Sequence, residues 1–277
     1  MSLNKEKFLS GKQPPQFCII APTTYLKPYA IMSTTHLVLA HLVETDPDYA
    51  DFYKERSLAG DRIIMDNGAF ELGCSYNPDM LVSLGNRCGA HALVLPDYPF
   101  APGKKTIDAA IDILPAVKAS GFAAFFAPQS KTDDLEDWIA TYTWGATNPD
   151  IDIIGMSILG IPNALPHIPA SYARVVMTQI LIERNLLADK YHHYLGLNAG
   201  PALEIPSLIK MGALDSCDSS GPVWAAILGH EYSKNTDSYL ATSKVKAHVE
   251  FDYPYSKDGA THERIQHNLD LTLDLFK

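Results

Sequence analysis

Six apolar, strand-like runs in this chain end on residues able to do chemistry. Residues 62–71, Arg-Ile-Ile-Met-Asp-Asn-Gly-Ala-Phe-Glu, set the pattern. A short buried run through Ile63, Ile64 and Met65 halts at Asp66, Asn67 and Gly68, residue types that stop strands and favour turns. A lone Asp-Asn-Gly would read as a turn cap, but the layout recurs at Leu95-Pro96-Asp97, Ala127-Pro128-Gln129, Ile154-Gly155, Leu195-Gly196 and Ser216-Cys217-Asp218. Three carboxylates around one pocket suit acid–base or nucleophilic work at an anomeric carbon. An amide with a carboxylate and backbone groups suits reading the edge of a purine-like base.

These residues converge only if the elements carrying them are parallel strands of one sheet. Apolar runs at 17–21, 36–43, 62–66, 92–95, 123–127, 151–158, 193–197 and 213–217 read as strands, mostly separated by helical stretches. The helical stretches include 49–59, a segment opened by Asn77-Pro78, 104–120 with Pro115 inside it, 132–142, 171–188 and 202–211. Strands alternating with helices imply a parallel sheet, and eight units imply an α/β fold, a single-domain (β/α)8 TIM-type barrel. The weak joint is the short link between the first two strands; if one falls outside the barrel, residues 245–251 supply the eighth. Residues 1–15 read as an N-terminal arm and 16–277 as the barrel, with a surface excursion at about 229–257. A packing helix bearing Ile265, Leu269, Leu273 and Phe276 closes the chain.

Bulk composition fits this frame. At 277 residues and 47% hydrophobic, the chain can bury a barrel-sized core. A net charge of −10 argues against a non-specific polyelectrolyte binder, though a local basic groove remains compatible with it. The four cysteines, Cys18, Cys74, Cys88 and Cys217, form no CxxC pair and no ligand-spaced set with the histidines. The expectation is therefore no structural metal, no cofactor and a reducing compartment. With no apolar run near about 18 residues and a polar start, the expected location is cytoplasmic, away from membranes.

The order and spacing of the strand ends resemble the tRNA-guanine transglycosylase family, including its zinc-less relatives that insert 7-deazaguanines into DNA. The resemblance spans roughly residues 63–222 and rests on five short segments. Asp66-Asn67-Gly68-Ala69-Phe70-Glu71 resembles the family's Asp-Ser-Gly-Gly-aromatic-Gln turn, which implies Asp66 as acid–base carboxylate and Phe70 as the ring stacking on the base. Asp97 and Gln129 match segments whose Asp and Gln read the base edge. Gly155 and Met156 resemble the Gly-Gly-Leu-Ala wall, and Leu195 with Gly196 the Tyr-Leu-Met-Gly segment. Residues 212–218 fall where the family carries its nucleophile, so Asp218 and Asp215 compete for that role, with Asp218 preferred because the Ser219-Ser220-Gly221 turn follows it. Ala69, Glu71 and the absent Cys-x-Cys-x-x-Cys…His zinc module depart from the family pattern.

The resemblance implies base exchange through a pentosyltransferase (transglycosylase) reaction. Asp218 would attack C1′ of a flipped guanosine, and a 7-deazaguanine of the queuine type would replace guanine. DNA is the favoured polymer over tRNA, since the zinc module is missing, and a homodimer is compatible with the reading. Lys234, Lys244, Lys246 and Lys257 are the expected phosphate contacts. Two alternatives stand beside it: a non-catalytic transglycosylase-like partner subunit, and a barrel nucleoside or glycoside hydrolase. His36 and His41 read as core histidines, although His41 can reach the active face, and His192-His193 reads as structural.

Overall fold

The computed structural model describes residues 13–197, 200–233 and 248–277. Eight strands follow one another around a barrel: β1 (Gln16–Ile19), β2 (Thr35–Leu39), β3 (Arg62–Asp66), β4 (Ala92–Val94), β5 (Ala123–Phe126), β6 (Ile153–Gly155), β7 (Tyr191–Tyr194) and β8 (Ser216–Ser219). They pair in the order β1-β8-β7-β6-β5-β4-β3-β2, each pair parallel. The chain is thus a single-domain (β/α)8 barrel, nearly closed.

Period-two alternation sorts the strand residues into two layers. Cys18, Leu37, Ile64, Ala92, Val94, Ala123, Phe125 and Ile153 fill the barrel interior. Their neighbours Phe17, Ile19, Val38, Ile63, Met65, Leu93, Ala124, Phe126, Ile154 and Cys217 face the surrounding helices. Those helices begin and end where side-chain chemistry dictates. Asp46 accepts from the Tyr49 N–H ahead of Pro47, and the helix Pro47–Ala59 stops at Gly60 with φ +108°. Asn77 caps the helix Pro78–Cys88 in the same way. The helix Gly103–Ala119 runs on through Pro115 without a break.

The weak joint lies between β1 and β2, which share no ladder bonds. The link between them is made of three short helical turns, Thr23–Tyr25, Leu26–Tyr29 and Ala30–Met32. Ser33 bridges the seam, its hydroxyl lying 2.6 Å from the Phe17 carbonyl and 2.8 Å from that of Thr35. Both strands belong to the barrel, so residues 245–251 are not needed as a replacement.

Several strand boundaries differ from the sequence reading, β6 (Ile153–Gly155 against 151–158) and β7 (Tyr191–Tyr194 against 193–197) among them, and two have a clear local cause. The run 36–43 stays a strand only to Leu39, then turns directly into the helix Ala40–Thr45. A continuous apolar run carries no period to show this, and the Tyr49 hydroxyl, accepting from the Leu39 N–H at 3.1 Å, helps end the strand. The eighth strand is Ser216–Ser219 in place of 213–217, because Gly212 (φ +66°) first turns the chain out of the helix Pro201–Lys210. No described helix is long and apolar enough to cross a membrane.

Candidate functional site

In a parallel barrel the last inward residue of each strand stands at the C-terminal mouth. On β3 the inward set is Arg62, Ile64 and Asp66, and on β8 it is Ser216 and Asp218, which places both carboxylates at that mouth. Asp66 keeps 9% of its surface exposed and Asp218 keeps 5%. Asp66 Oδ2 accepts from the Gly68 N–H at 3.1 Å, a return turn that Gly68 permits with φ +70°. Burial pushes the Asp66 carboxyl well above its usual range, and the negative charges of Glu71, Asp97 and Asp218 push it the same way. Asp218 is held differently. Its Oδ1 accepts from the Gly196 N–H at 2.8 Å and faces His193 Nε2 at 3.0 Å. Among the described residues no N–H or hydroxyl donates to Asp218 Oδ2 or to Asp66 Oδ1.

Asp97, Asn67 and Gln129 also come together, but chiefly with one another. Asn67 Nδ2 donates to Asp97 Oδ1 at 2.8 Å and to the Leu95 carbonyl at 2.8 Å, while Gln129 Nε2 donates to Asp97 Oδ2 at 2.6 Å. Burial raises the Asp97 carboxyl, and the two amides draw it back. With both oxygens engaged, this trio braces the ends of β3, β4 and β5. Gln129 Oε1 is buried without a partner, close over Gly160, where an added Cβ would lie 2.5 Å away.

The other expected ligand residues scatter. At Gly155 a Cβ would meet the Phe125 ring at 2.5 Å, so the missing side chain makes room for that ring. Met156 is buried among the residues facing the helices. Leu195 packs on the barrel interior, and Gly196 serves Asp218 through its N–H. Phe70 is 39% exposed at the rim, its ring 5.4 Å from that of His248. Asp215 lies at the opposite end of β8 and accepts from the His192 N–H at 2.7 Å, which leaves Asp218 as the mouth carboxylate of that strand.

Three mouth residues were not among the expected site residues. Glu71 is pushed up to about 7 by burial and then by the charge of Asp218, and its Oε2 is buried without a partner. His41 has an unpartnered buried Nδ1 near Gly68, and burial lowers its pKa. Its ring meets Phe251, which packs on the barrel interior. His193, read from sequence as structural, faces Asp218. The signal was the alternation: His192 points outward to the Tyr142 hydroxyl at 2.9 Å, so its neighbour must point inward.

Among the described residues, no group of three or more His, Cys, Asp or Glu is arranged to hold a metal ion. Among the described residues the mouth also has no buried lysine: Lys27, Lys104, Lys105 and Lys131 are exposed. Lys190, half-buried, donates to the carbonyls of Gly145, Asn148 and Ile151 at the other end of the barrel. Of the expected phosphate contacts, Lys257 is exposed, while Lys234, Lys244 and Lys246 lie outside the described residues. Arg174 is locked in a buried two-pronged pair with Glu204 (2.7 and 2.6 Å) and ties down the carbonyls of Met156 and Leu195.

No protein-family profile matches the chain, and no curated protein matches it. Solved structures do. A HpcH/HpaI aldolase/citrate lyase family protein from Burkholderia cenocepacia J2315 aligns at 12% identity and TM-score 0.54, over 83% of this chain and 96% of its own. A protein from Aquifex aeolicus VF5 aligns at 12% identity and TM-score 0.51, over 99% and 96%. N-acetylneuraminate lyase from Mycoplasma synoviae aligns at 10% identity and TM-score 0.47, over 98% and 99%. At these identities the likeness concerns the fold.

These comparisons correct the transglycosylase assignment. No family profile recognises the five segments, and the named structural neighbour with a TM-score above 0.5 is an aldolase/citrate lyase family protein, not a transglycosylase. Base exchange, the pentosyltransferase class and the 7-deazaguanine or queuine substrate fall with it. The partner-subunit and hydrolase alternatives gain no support either. The physical reason is that an apolar run ending on a polar and a small residue is what a strand-to-loop junction produces in any barrel of this kind. Five such junctions in order follow from the architecture.

Proposed function

We propose that this protein is an acid–base enzyme of the lyase type, cleaving a small, uncharged β-hydroxycarbonyl compound at the barrel mouth. The observation that carries the reading is the contrast between Asp66 and Asp218. Burial and three neighbouring carboxylates favour the protonated form of Asp66, whereas Asp218 accepts a backbone N–H and faces an imidazole nitrogen. Two carboxyl groups with opposed environments divide the acid and base roles between them. Asp218 Oδ2 takes the proton from the substrate hydroxyl, and the freed electron pair becomes a new C=O as the carbon–carbon bond breaks. The bonding pair passes through the neighbouring carbonyl to its oxygen, which Asp66 protonates to give an enol that reverts to the carbonyl form. Schiff-base chemistry would need a desolvated lysine, and none of the described lysines stands buried at this mouth. Glu71, Asp97 and Asp218 around one opening disfavour an anionic substrate. The aldolase/citrate lyase neighbour shares the fold, and its name agrees with the reading without carrying it.

The test is a panel of neutral β-hydroxyaldehydes and β-hydroxyketones, free sugars included, followed by proton NMR for cleavage products. Asp218→Asn and Asp66→Asn should each lower turnover by about a hundredfold or more. Conversion of no panel member, or full activity in both variants, overturns the proposal.

A further inference from the structure

His193 stands fully buried on β7, between Asp218 at the mouth and Ser216 one inward position deeper on β8. Its Nε2 lies 3.0 Å from Asp218 Oδ1, and its Nδ1 lies 2.6 Å from the Ser216 hydroxyl. The Phe125 ring meets it edge-on at 5.6 Å. The proton positions follow from these neighbours. Asp218 Oδ1 already accepts from the Gly196 N–H, so it acts as an acceptor, and the imidazole nitrogen facing it must carry the hydrogen. Nδ1 then either accepts from the Ser216 hydroxyl, leaving the ring neutral, or donates to it as an imidazolium. The Ser216 hydroxyl, 2.6 Å from Nδ1, is placed to give that nitrogen its hydrogen, which is the arrangement of the neutral ring.

We propose that Ser216 holds His193 as the neutral Nε2–H tautomer, and that His193 with the Gly196 N–H fixes Asp218 Oδ1 so that Oδ2 is presented at the mouth. His193 is thus a positioning residue, acting through Asp218 and not on substrate. The assignment of Oδ2 as the working oxygen rests on the lyase reading above; the tautomer does not. The inward line Ser216–His193–Asp218 follows from β7 and β8 being parallel and in register, with His193 paired to Ser216.

The experiment is nitrogen-15 NMR of histidine-labelled protein at neutral pH, which distinguishes the tautomers and the imidazolium directly. The wild-type protein should show His193 neutral and protonated at Nε2. Ser216→Ala should move the signal towards the Nδ1–H form, and Ser216→Thr, which keeps the hydroxyl, should leave it in place. A wild-type imidazolium or Nδ1–H form, or an unchanged spectrum in folded Ser216→Ala, overturns the proposal. If Ser216→Ala fails to fold, the wild-type and Ser216→Thr spectra still decide it.

Turnover of the panel compound gives the second readout. His193→Gln retains an N–H donor for Asp218, whereas His193→Leu should lose about tenfold or more beyond it, what one hydrogen bond to a charged group is worth. Equal losses would refute the positioning role. An Nε2–H spectrum alongside a fully active Asp218→Asn would sink the lyase reading while leaving the tautomer assignment intact.

Discussion

Replacing Glu71 by Gln tests the electrostatics of the mouth without needing a substrate. Burial, then the charge of Asp218, raises the Glu71 carboxyl from 4.5 to about 7. The folded protein therefore binds that proton more tightly than the unfolded chain does. The stability this gives is fully present below pH 4.5 and is lost as pH rises through about 7. At about 1.4 kcal/mol per pH unit, the interval corresponds to about 3 kcal/mol at most by pH 8. Charge shared with Asp66 and remaining water contact at the rim reduce it to on the order of 2 kcal/mol. Gln keeps the shape of Glu and removes the charge, so Glu71→Gln should be more stable than the wild type by that amount at pH 8. The two should converge at pH 4.5, where the wild-type carboxyl is protonated as well. Urea unfolding across this range provides the measurement, with ΔG plotted against pH for both proteins. Parallel curves, or a variant less stable than the wild type at pH 8, would refute the reasoning.

Two further outcomes follow from packing. Glu204→Gln strands the fully buried Arg174 guanidinium and should cost about 3–5 kcal/mol, whereas the double change Arg174→Met with Glu204→Met should cost less than either single change; denaturant midpoints of the three variants check this. Gly155→Ala drives a methyl group into the Phe125 ring and should cost about 1–3 kcal/mol, a loss that Phe125→Leu in the same chain should reduce, as thermal unfolding would show.

The lyase reading and the mouth electrostatics share one origin, the crowding of carboxylates into a half-closed cup. Asp66 and Asp218 were legible as strand-end carboxylates because parallel strands align their C-terminal ends. Glu71 was visible in the sequence only as a departure from a motif. Its role depends on the short helix Ala69–Leu72 turning it back towards Asp218, a fold-back that local spacing does not encode.

By itself the sequence determined the architecture. Eight apolar runs separated by helical stretches leave few arrangements other than a closed parallel barrel, because each strand must bury both faces and each crossover needs a helix. It also determined which carboxylates end strands. Only the tertiary structure decided what surrounds them. Asp97 and Gln129 looked like open recognition groups, yet in three dimensions each meets the other and Asn67 first. Gly155 looked like a place for a ligand, and the Phe125 ring from the neighbouring strand occupies the space. Asp215 and Asp218 are three positions apart in sequence, but β8 carries them to opposite ends of the barrel. In each case the deciding contact comes from a different strand or its following loop, so its partner lies between 22 and 32 residues away, beyond the reach of any local pattern.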